Sequence, residues 1–233
     1  MVSYRSIIDA LLPKYCFGCG DLGVYICSTC RKDLKVIDRD ICPYCRKSSY
    51  FGLTHPKCKR RGGLDGLKSL YYYNSLVRKI IKQIKYRLVA SAMVDLVNSI
   101  PVNKLIELNN YLEIAEKPLL IAVPLSSNRL KGRGFNQAEI LATIISKKID
   151  LDINFTLIKK IIDTKPQVTF KSGKERYLNV RGVFRVEGQR RQINSKDLII
   201  VDDVWTSGST IKEIARRLKA GGAARIFALT LAR

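Results

Sequence analysis

The chain predicts an α/β fold, a mostly parallel sheet flanked by helices, with a small metal-stapled ribbon at its N-terminal end. Two short apolar runs, Leu119-Leu120-Ile121-Ala122-Val123 and Leu198-Ile199-Ile200-Val201, have the length and composition of buried parallel strands, and each leads through a turn into a helical pattern. All seven cysteines lie between Cys16 and Cys58, far from those runs. With 233 residues, 46% of them hydrophobic, the chain has material for one large or two modest domains and a genuine core.

The ribbon comes first. Residues 3–12 place Ile7, Ile8, Leu11 and Leu12 on one side of a short helix, which Pro13 ends. Three CxxC pairs follow, and the only histidine stands three residues before the last cysteine. Tetrahedral zinc takes four thiolate or imidazole ligands, and a two-residue gap lets one knuckle supply two of them. The economical partition is Cys16, Cys19, Cys27 and Cys30 around one ion and Cys42, Cys45, His55 and Cys58 around another. Interleaved pairing satisfies the same spacing, so one or two structural zinc ions are expected. Disulfides fit poorly with an odd cysteine count and a cytoplasmic location. That location is the expected one, since the first residues lack a secretory signal's basic start, apolar block and cleavage site, and no apolar run is long enough to span a bilayer.

A region this short gains its fold from metal, so the expected boundary falls soon after Cys58. Residues 1–62 form the N-terminal helix and ribbon, KRRGGLDG at 59–66 links, and 66–233 form the α/β domain. Leu67 to Tyr73 reads as its first strand, with a helix from Leu76 to about Leu88 capped by Ser75 and helical pattern continuing over 90–115. Forty-two Lys and Arg against twenty Asp and Glu leave a net charge of +22, which favours polyanionic partners. Arg78, Lys79, Lys82 and Lys85 on the first helix and Arg133 further on are candidate nucleic-acid contacts; a merely solvated helix face is the alternative.

The chemistry concentrates in LIIVDDVWTSGSTI at 198–211. Asp202 and Asp203 stand at the carboxyl end of a strand, where open α/β sheets bind ligands. The Thr206-Ser207-Gly208-Ser209-Thr210 turn offers hydroxyls, free N–H groups and a helix start, which suit a phosphate. Adjacent carboxylates would repel that phosphate and are better used on sugar hydroxyls or a divalent ion. A ribose 5-phosphate site meets both demands. After the strand at 119–123, the loop carrying Ser126, Ser127, Asn128, Arg129, Lys131 and Arg133 precedes a helix over 137–149. Thr156 to Ile162 reads as a strand, 163–179 as a long basic segment without periodicity, Phe184 to Val186 as a strand, and Arg225 to Leu231 as a strand at the sheet edge.

The signature at 198–211 resembles that of type I phosphoribosyltransferases. The resemblance implies that Asp202 and Asp203 hold the ribose hydroxyls, and that Val204 and Thr206 to Thr210 wrap the 5-phosphate of phosphoribosyl pyrophosphate carried with Mg²⁺. It also implies that Ser126, Ser127, Asn128 and Arg129 meet the pyrophosphate, and that a flexible loop with Lys165, Gln167, Lys174 and Arg176 closes over it. Further residues narrow the likeness: VPL at 123–125, RGFNQAEILA at 133–142, IKYR at 84–87, RYLNVRGVFRV at 176–186 and TLAR at the chain end resemble the ComF family. These are competence-associated phosphoribosyltransferase-like proteins with an N-terminal zinc ribbon. Many members carry a His-Pro-type pair after VPL, where this chain has Ser126 and Ser127.

Two functions are implied. One is glycosyl transfer from phosphoribosyl pyrophosphate to an acceptor that no residue here identifies. The other is a binding module in natural transformation that handles single-stranded DNA, with other competence proteins as partners and the transferase site kept as a ligand sensor. Basic faces at 78–87 and 165–196 would follow phosphates, with Tyr71, Tyr72, Tyr73 and Tyr86 available for stacking.

Overall fold

In the computed structural model of the chain the described residues are 14–87, 91–114, 118–164, 170, 172–187 and 192–233. The helix expected over 3–12 lies outside them, as do Lys165 and Gln167. After the short helix α1 (Ser28–Arg31) of the ribbon come β1 (Gly66–Tyr71), α2 (Ser75–Arg87), α3 (Ser91–Asn98), α4 (Val102–Glu113) and β2 (Leu119–Ala122). Helices α5 (Ser127–Arg133) and α6 (Gln137–Ile149), strand β3 (Ile158–Lys160), helix α7 (Gly173–Leu178) and strand β4 (Phe184–Val186) follow. Strand β5 (Leu198–Val204), helix α8 (Ser209–Ala220) and strand β6 (Ile226–Ala232) complete the order.

Four strands form a fully parallel sheet in the order β1-β6-β5-β2. Both faces are covered, which is why β5 and β6 read as continuous apolar runs rather than alternating ones. One core gathers Ile80, Ile84, Leu96, Leu141 and Ile145 from the helices α2, α3 and α6 against Ile199 and Leu229. The other gathers Ile211, Ile214 and Leu218 of α8 against Leu198, Ile200 and Ala228. Strand β6 lies between β1 and β5 and not at the edge expected for it; β1 takes the edge. Strands β3 and β4 pair antiparallel in a separate ribbon.

Helix starts are decided locally. Asn74, not Ser75, caps α2, its Oδ1 accepting the Val77 N–H at 2.9 Å. Asn136 caps α6 through the Ala138 N–H at 3.0 Å. The basic loop expected after β2 is largely the helix α5, which closes at Gly134 in the left-handed region. Part of the segment expected to lack structure is α7, started by a capping box between Ser172 and Glu175.

The metal-binding region lies along the free edge of β1. Antiparallel bridges join Val36 to Tyr71 and Leu53 to Gly66, and the Ile37 N–H donates to the Leu70 carbonyl at 2.9 Å. Gly52 comes so close that a Cβ there would meet the Leu67 carbonyl oxygen at 2.0 Å. Its φ of 69° also favours glycine. Buried Lys68 reaches Asp40 at 2.6 Å. The expected linker is itself packed: Leu64 is buried, and Asp65 accepts the Ile226 N–H at 2.8 Å and pairs with Lys219 at 2.9 Å. Among the described residues no helix is long and apolar enough to cross a membrane.

Candidate functional site

At the carboxyl ends of β2 and β5 lies a cavity of about 470 Å³. Its wall includes Asp202, Asp203 and Val204 from the end of β5, Thr206 through Ile211 from the turn into α8, and Arg129, Arg133 and Gln137 from α5 and α6. Tyr73, Lys85 and Tyr86 close one side, and Lys160, Val180 and Phe184 another. The acid pair and the hydroxyl-bearing turn therefore face a single space. Of the expected pyrophosphate residues only Arg129 reaches that wall. Ser126 is buried with its hydroxyl unpartnered, while Asn128 donates to Asp163 and Arg129 to the Thr164 carbonyl at 2.8 Å. Arg176 donates instead to the Phe170 carbonyl at 3.1 Å, and Lys174 is exposed.

The two carboxylates differ although they are neighbours. Asp203 is buried, ion-paired with Lys85 and 3.4 Å from the Gln137 side-chain nitrogen. Burial alone would lower the Lys85 pKa, but Asp203 outweighs it and raises the value. Asp202 is half-buried, and its Oδ1 accepts the Asp203 N–H at 2.8 Å. Desolvation, then the charge of Asp203, push its carboxyl up to about 8. Lys85 thus looks inward to the acids, unlike Arg78 and Lys82, which are exposed on the outer face of α2. Lys79, also exposed, donates to the Gly18 carbonyl at 3.2 Å.

The turn is shaped by Trp205 and Gly208. Gly208 has φ 70°, and a Cβ there would fall 2.3 Å from the buried indole of Trp205. Only glycine admits this approach and conformation together. The Ser207 and Ser209 hydroxyls share a hydrogen bond of 2.8 Å. Three cations of this site escape sequence reading. Lys160 on β3 lines the cavity, where burial and then Arg129 draw it down to about 8. Lys212 donates to the Ser207 carbonyl at 3.1 Å and Arg46 to that of Thr206 at 3.3 Å. Lys212 sits one turn into α8, a spacing that marks it as a neighbour of the loop; Arg46 lies 160 residues away and carries no such signal.

In the metal-binding region the eight candidate ligands fall into two groups. Cys16, Cys19, Cys27 and Cys30 bring their sulfurs together in one group, and Cys42, Cys45, His55 and Cys58 their ligand atoms in another, all within 4.8 Å of one another in each group. Both donor sets suit tetrahedral zinc. In the first, backbone N–H groups of Cys27 and Cys30 point at the sulfurs of Cys16 and Cys27, at 3.3 and 3.4 Å. Burial pushes the Cys16 thiol up, but backbone amides led by that of Cys27 prevail and bring it to about 6, favouring the thiolate that zinc binds. In the second, His55 Nε2 meets the Ser48 carbonyl at 3.0 Å and so carries its proton there, leaving Nδ1, 3.3 Å from Cys45, for the metal.

Comparison with known proteins agrees on both regions. Residues 7–64 match a double zinc ribbon domain and residues 131–233 a phosphoribosyl transferase domain. Competence protein ComFC of Bacillus subtilis is 27% identical over 222 residues, covering 89% of this chain and 84% of that protein. Competence protein F of Haemophilus influenzae is 25% identical over 222 residues, covering 89% and 90%. DNA utilization protein YhgH of Escherichia coli K12 is 26% identical over 210 residues with the same coverage. With two candidate zinc sites ahead of a transferase-type sheet, the chain is similar to these competence proteins over 89% of its length.

Proposed function

We propose that the cavity binds phosphoribosyl pyrophosphate with Mg²⁺. The observation that carries this reading is the opening of an acid pair and a hydroxyl-rich turn onto one space. The 5-phosphate would lie against the Thr206–Thr210 turn, where α8 begins and the positive end of its dipole favours an anion. Asp202 would accept hydrogen bonds from the ribose diol. Asp203, already paired with Lys85, would fix the position of Asp202 through its backbone N–H. Arg129, Arg133 and Lys160 line the wall and would meet the pyrophosphate. Mg²⁺ would neutralise that group further and organise it for departure.

Glycosyl transfer follows from the same arrangement. As the bond from the anomeric carbon to pyrophosphate breaks, its electron pair leaves with the pyrophosphate, and the cations offset that charge while the ribose is held in place. The acceptor forms the new bond to that carbon. Binding is tested by calorimetric titration of phosphoribosyl pyrophosphate with Mg²⁺. We expect saturable binding that is lost in the Asp202→Ala, Asp203→Ala double variant; equal affinity in that variant would overturn the reading. Pyrophosphate release across a panel of acceptors then tests turnover.

A role in natural competence is supported by the names of the relatives, and handling of single-stranded DNA by the charge of +22. Such DNA would bind outside the cavity. It lacks the 2-hydroxyl that the acids require, and its 3-oxygen carries a phosphate that they would repel. Exposed Arg78, Lys79 and Lys82 suit it better. Steep salt dependence and full retention in the double acid variant are expected; absence of oligonucleotide binding at low salt would exclude this part.

A further inference from the structure

The second metal group lies beside the phosphate turn, and its side chains hold that turn. The knuckle Cys42-Pro43-Tyr44-Cys45 is followed by Arg46 in the left-handed region at φ 59°. The Arg46 guanidinium donates to the Thr206 carbonyl at 3.3 Å. The Tyr44 hydroxyl accepts the Leu64 N–H at 2.7 Å, and its ring lies 5.2 Å from the Lys212 ammonium. Lys212 in turn donates to the Ser207 carbonyl and stands 5.2 Å from the ring of Trp205, the indole under Gly208. Two successive carbonyls of the turn are therefore held by cations, one carried by the knuckle and one resting against it.

This fixes the other edge of the same peptides. In a planar trans peptide the carbonyl and the following N–H point in opposite directions. With the Thr206 and Ser207 carbonyls drawn to Arg46 and Lys212, the N–H groups of Ser207 and Gly208 are directed to the opposite side. Those N–H groups are the donors a phosphate ester needs, and Arg46 reaches them only through the Thr206 carbonyl. Its αL backbone is set by closure of the knuckle, where the Arg46 N–H donates to the Cys42 carbonyl at 3.0 Å.

Resting on the reading of the cavity as a phosphate-ester site, we infer that Arg46 is a positioning residue for the phosphate turn, and that zinc retention in the second ribbon is linked to ligand binding in the cavity. Linkage is reciprocal: a closed knuckle tightens the phosphate site, and a bound phosphate ester holds the knuckle closed. The first ribbon, whose knuckle faces Leu76 of α2 across Gly18, makes no such contact among the described residues.

The test uses the full zinc-loaded chain and ribose 5-phosphate, with inorganic pyrophosphate as the control ligand. Arg46→Ala is expected to weaken ribose 5-phosphate roughly 10-fold, the scale of one charge-assisted hydrogen bond, and to leave pyrophosphate unchanged. Arg46→Lys should recover part of the loss. On the unaltered chain, ribose 5-phosphate should slow alkylation of Cys45 and Cys58 about 10-fold, by the same linkage, and leave Cys19 and Cys27 unaffected. This arm decides even if Arg46→Ala loses zinc. No slowing of Cys45 and Cys58 alkylation by bound ribose 5-phosphate, or equal ribose 5-phosphate affinity in zinc-loaded Arg46→Ala, would overturn the linkage alone. No binding of ribose 5-phosphate by the unaltered chain would overturn the phosphate reading and the linkage with it.

Discussion

The two ends of the cavity are supported in different ways. The acid end is internal to the α/β sheet and its helices: Lys85 on α2 neutralises Asp203, and Asp203 leaves Asp202 poised. The turn end is supported from outside, by Arg46 of a metal-binding ribbon and by Lys212 resting on that ribbon's tyrosine. One end is held by charge paired inside low-dielectric surroundings, the other by cations on backbone carbonyls. Disturbing the first should change charge and proton balance; disturbing the second should change shape.

The sharpest way to break the comparison is Asp203→Asn. It leaves the Lys85 ammonium without its partner, and loss of about 3 kcal/mol of stability is expected, read by urea unfolding. Lys85→Met with Asp203→Asn should recover much of it, since no unpaired charge then remains. At the turn, Gly208→Ala forces a Cβ against Trp205 in a left-handed conformation. We expect about 1–2 kcal/mol of strain and at least 10-fold weaker ribose 5-phosphate binding, with proton release on binding unchanged.

A third experiment reads the acid end alone. Asp202 holds its proton in the folded chain up to about pH 8, whereas in the unfolded chain it loses it in the ordinary carboxylate range. Between those values the folded state binds more protons, so stability falls as pH rises. Asp202→Asn should flatten that part of the Tm profile between pH 5 and 8, gaining on the parent most at pH 8. Calorimetry at pH 7 in buffers of different ionisation enthalpy should show proton release when the phosphoribosyl pyrophosphate–Mg²⁺ complex binds. The smallest effect belongs to Lys160. Its charge declines above about pH 8, so anion affinity should fall there, and Lys160→Met should weaken binding at pH 7 and remove much of that alkaline decline.

What sequence reading captured is what is local. The acid pair, the turn and the cysteine knuckles are each contiguous or closely spaced, and their chemistry limits the alternatives. The strand at 198–201, which runs on to Val204, and the helix at 137–149 stand out by composition and period. Lys85 shared its helix with outward-facing cations, and nothing in a 3.6-residue period told which of them would meet Asp203. Strand β6, expected at an edge, lies inside because sheet order is decided by crossovers, and β1 takes that place. Arg46 and Lys160 became part of the cavity's surroundings only through packing between distant segments.

The free edge of β1 carries a last consequence. Val36, Ile37 and Leu53 pair with its outer backbone groups, and that region carries eight residues able to hold two metal ions. Chelation would therefore bare a row of donors and acceptors on the outer edge of the sheet, a template for a strand of another molecule. Metal-stripped chains should self-associate in sheet-rich aggregates before the central strands melt, so zinc would guard solubility as well as shape.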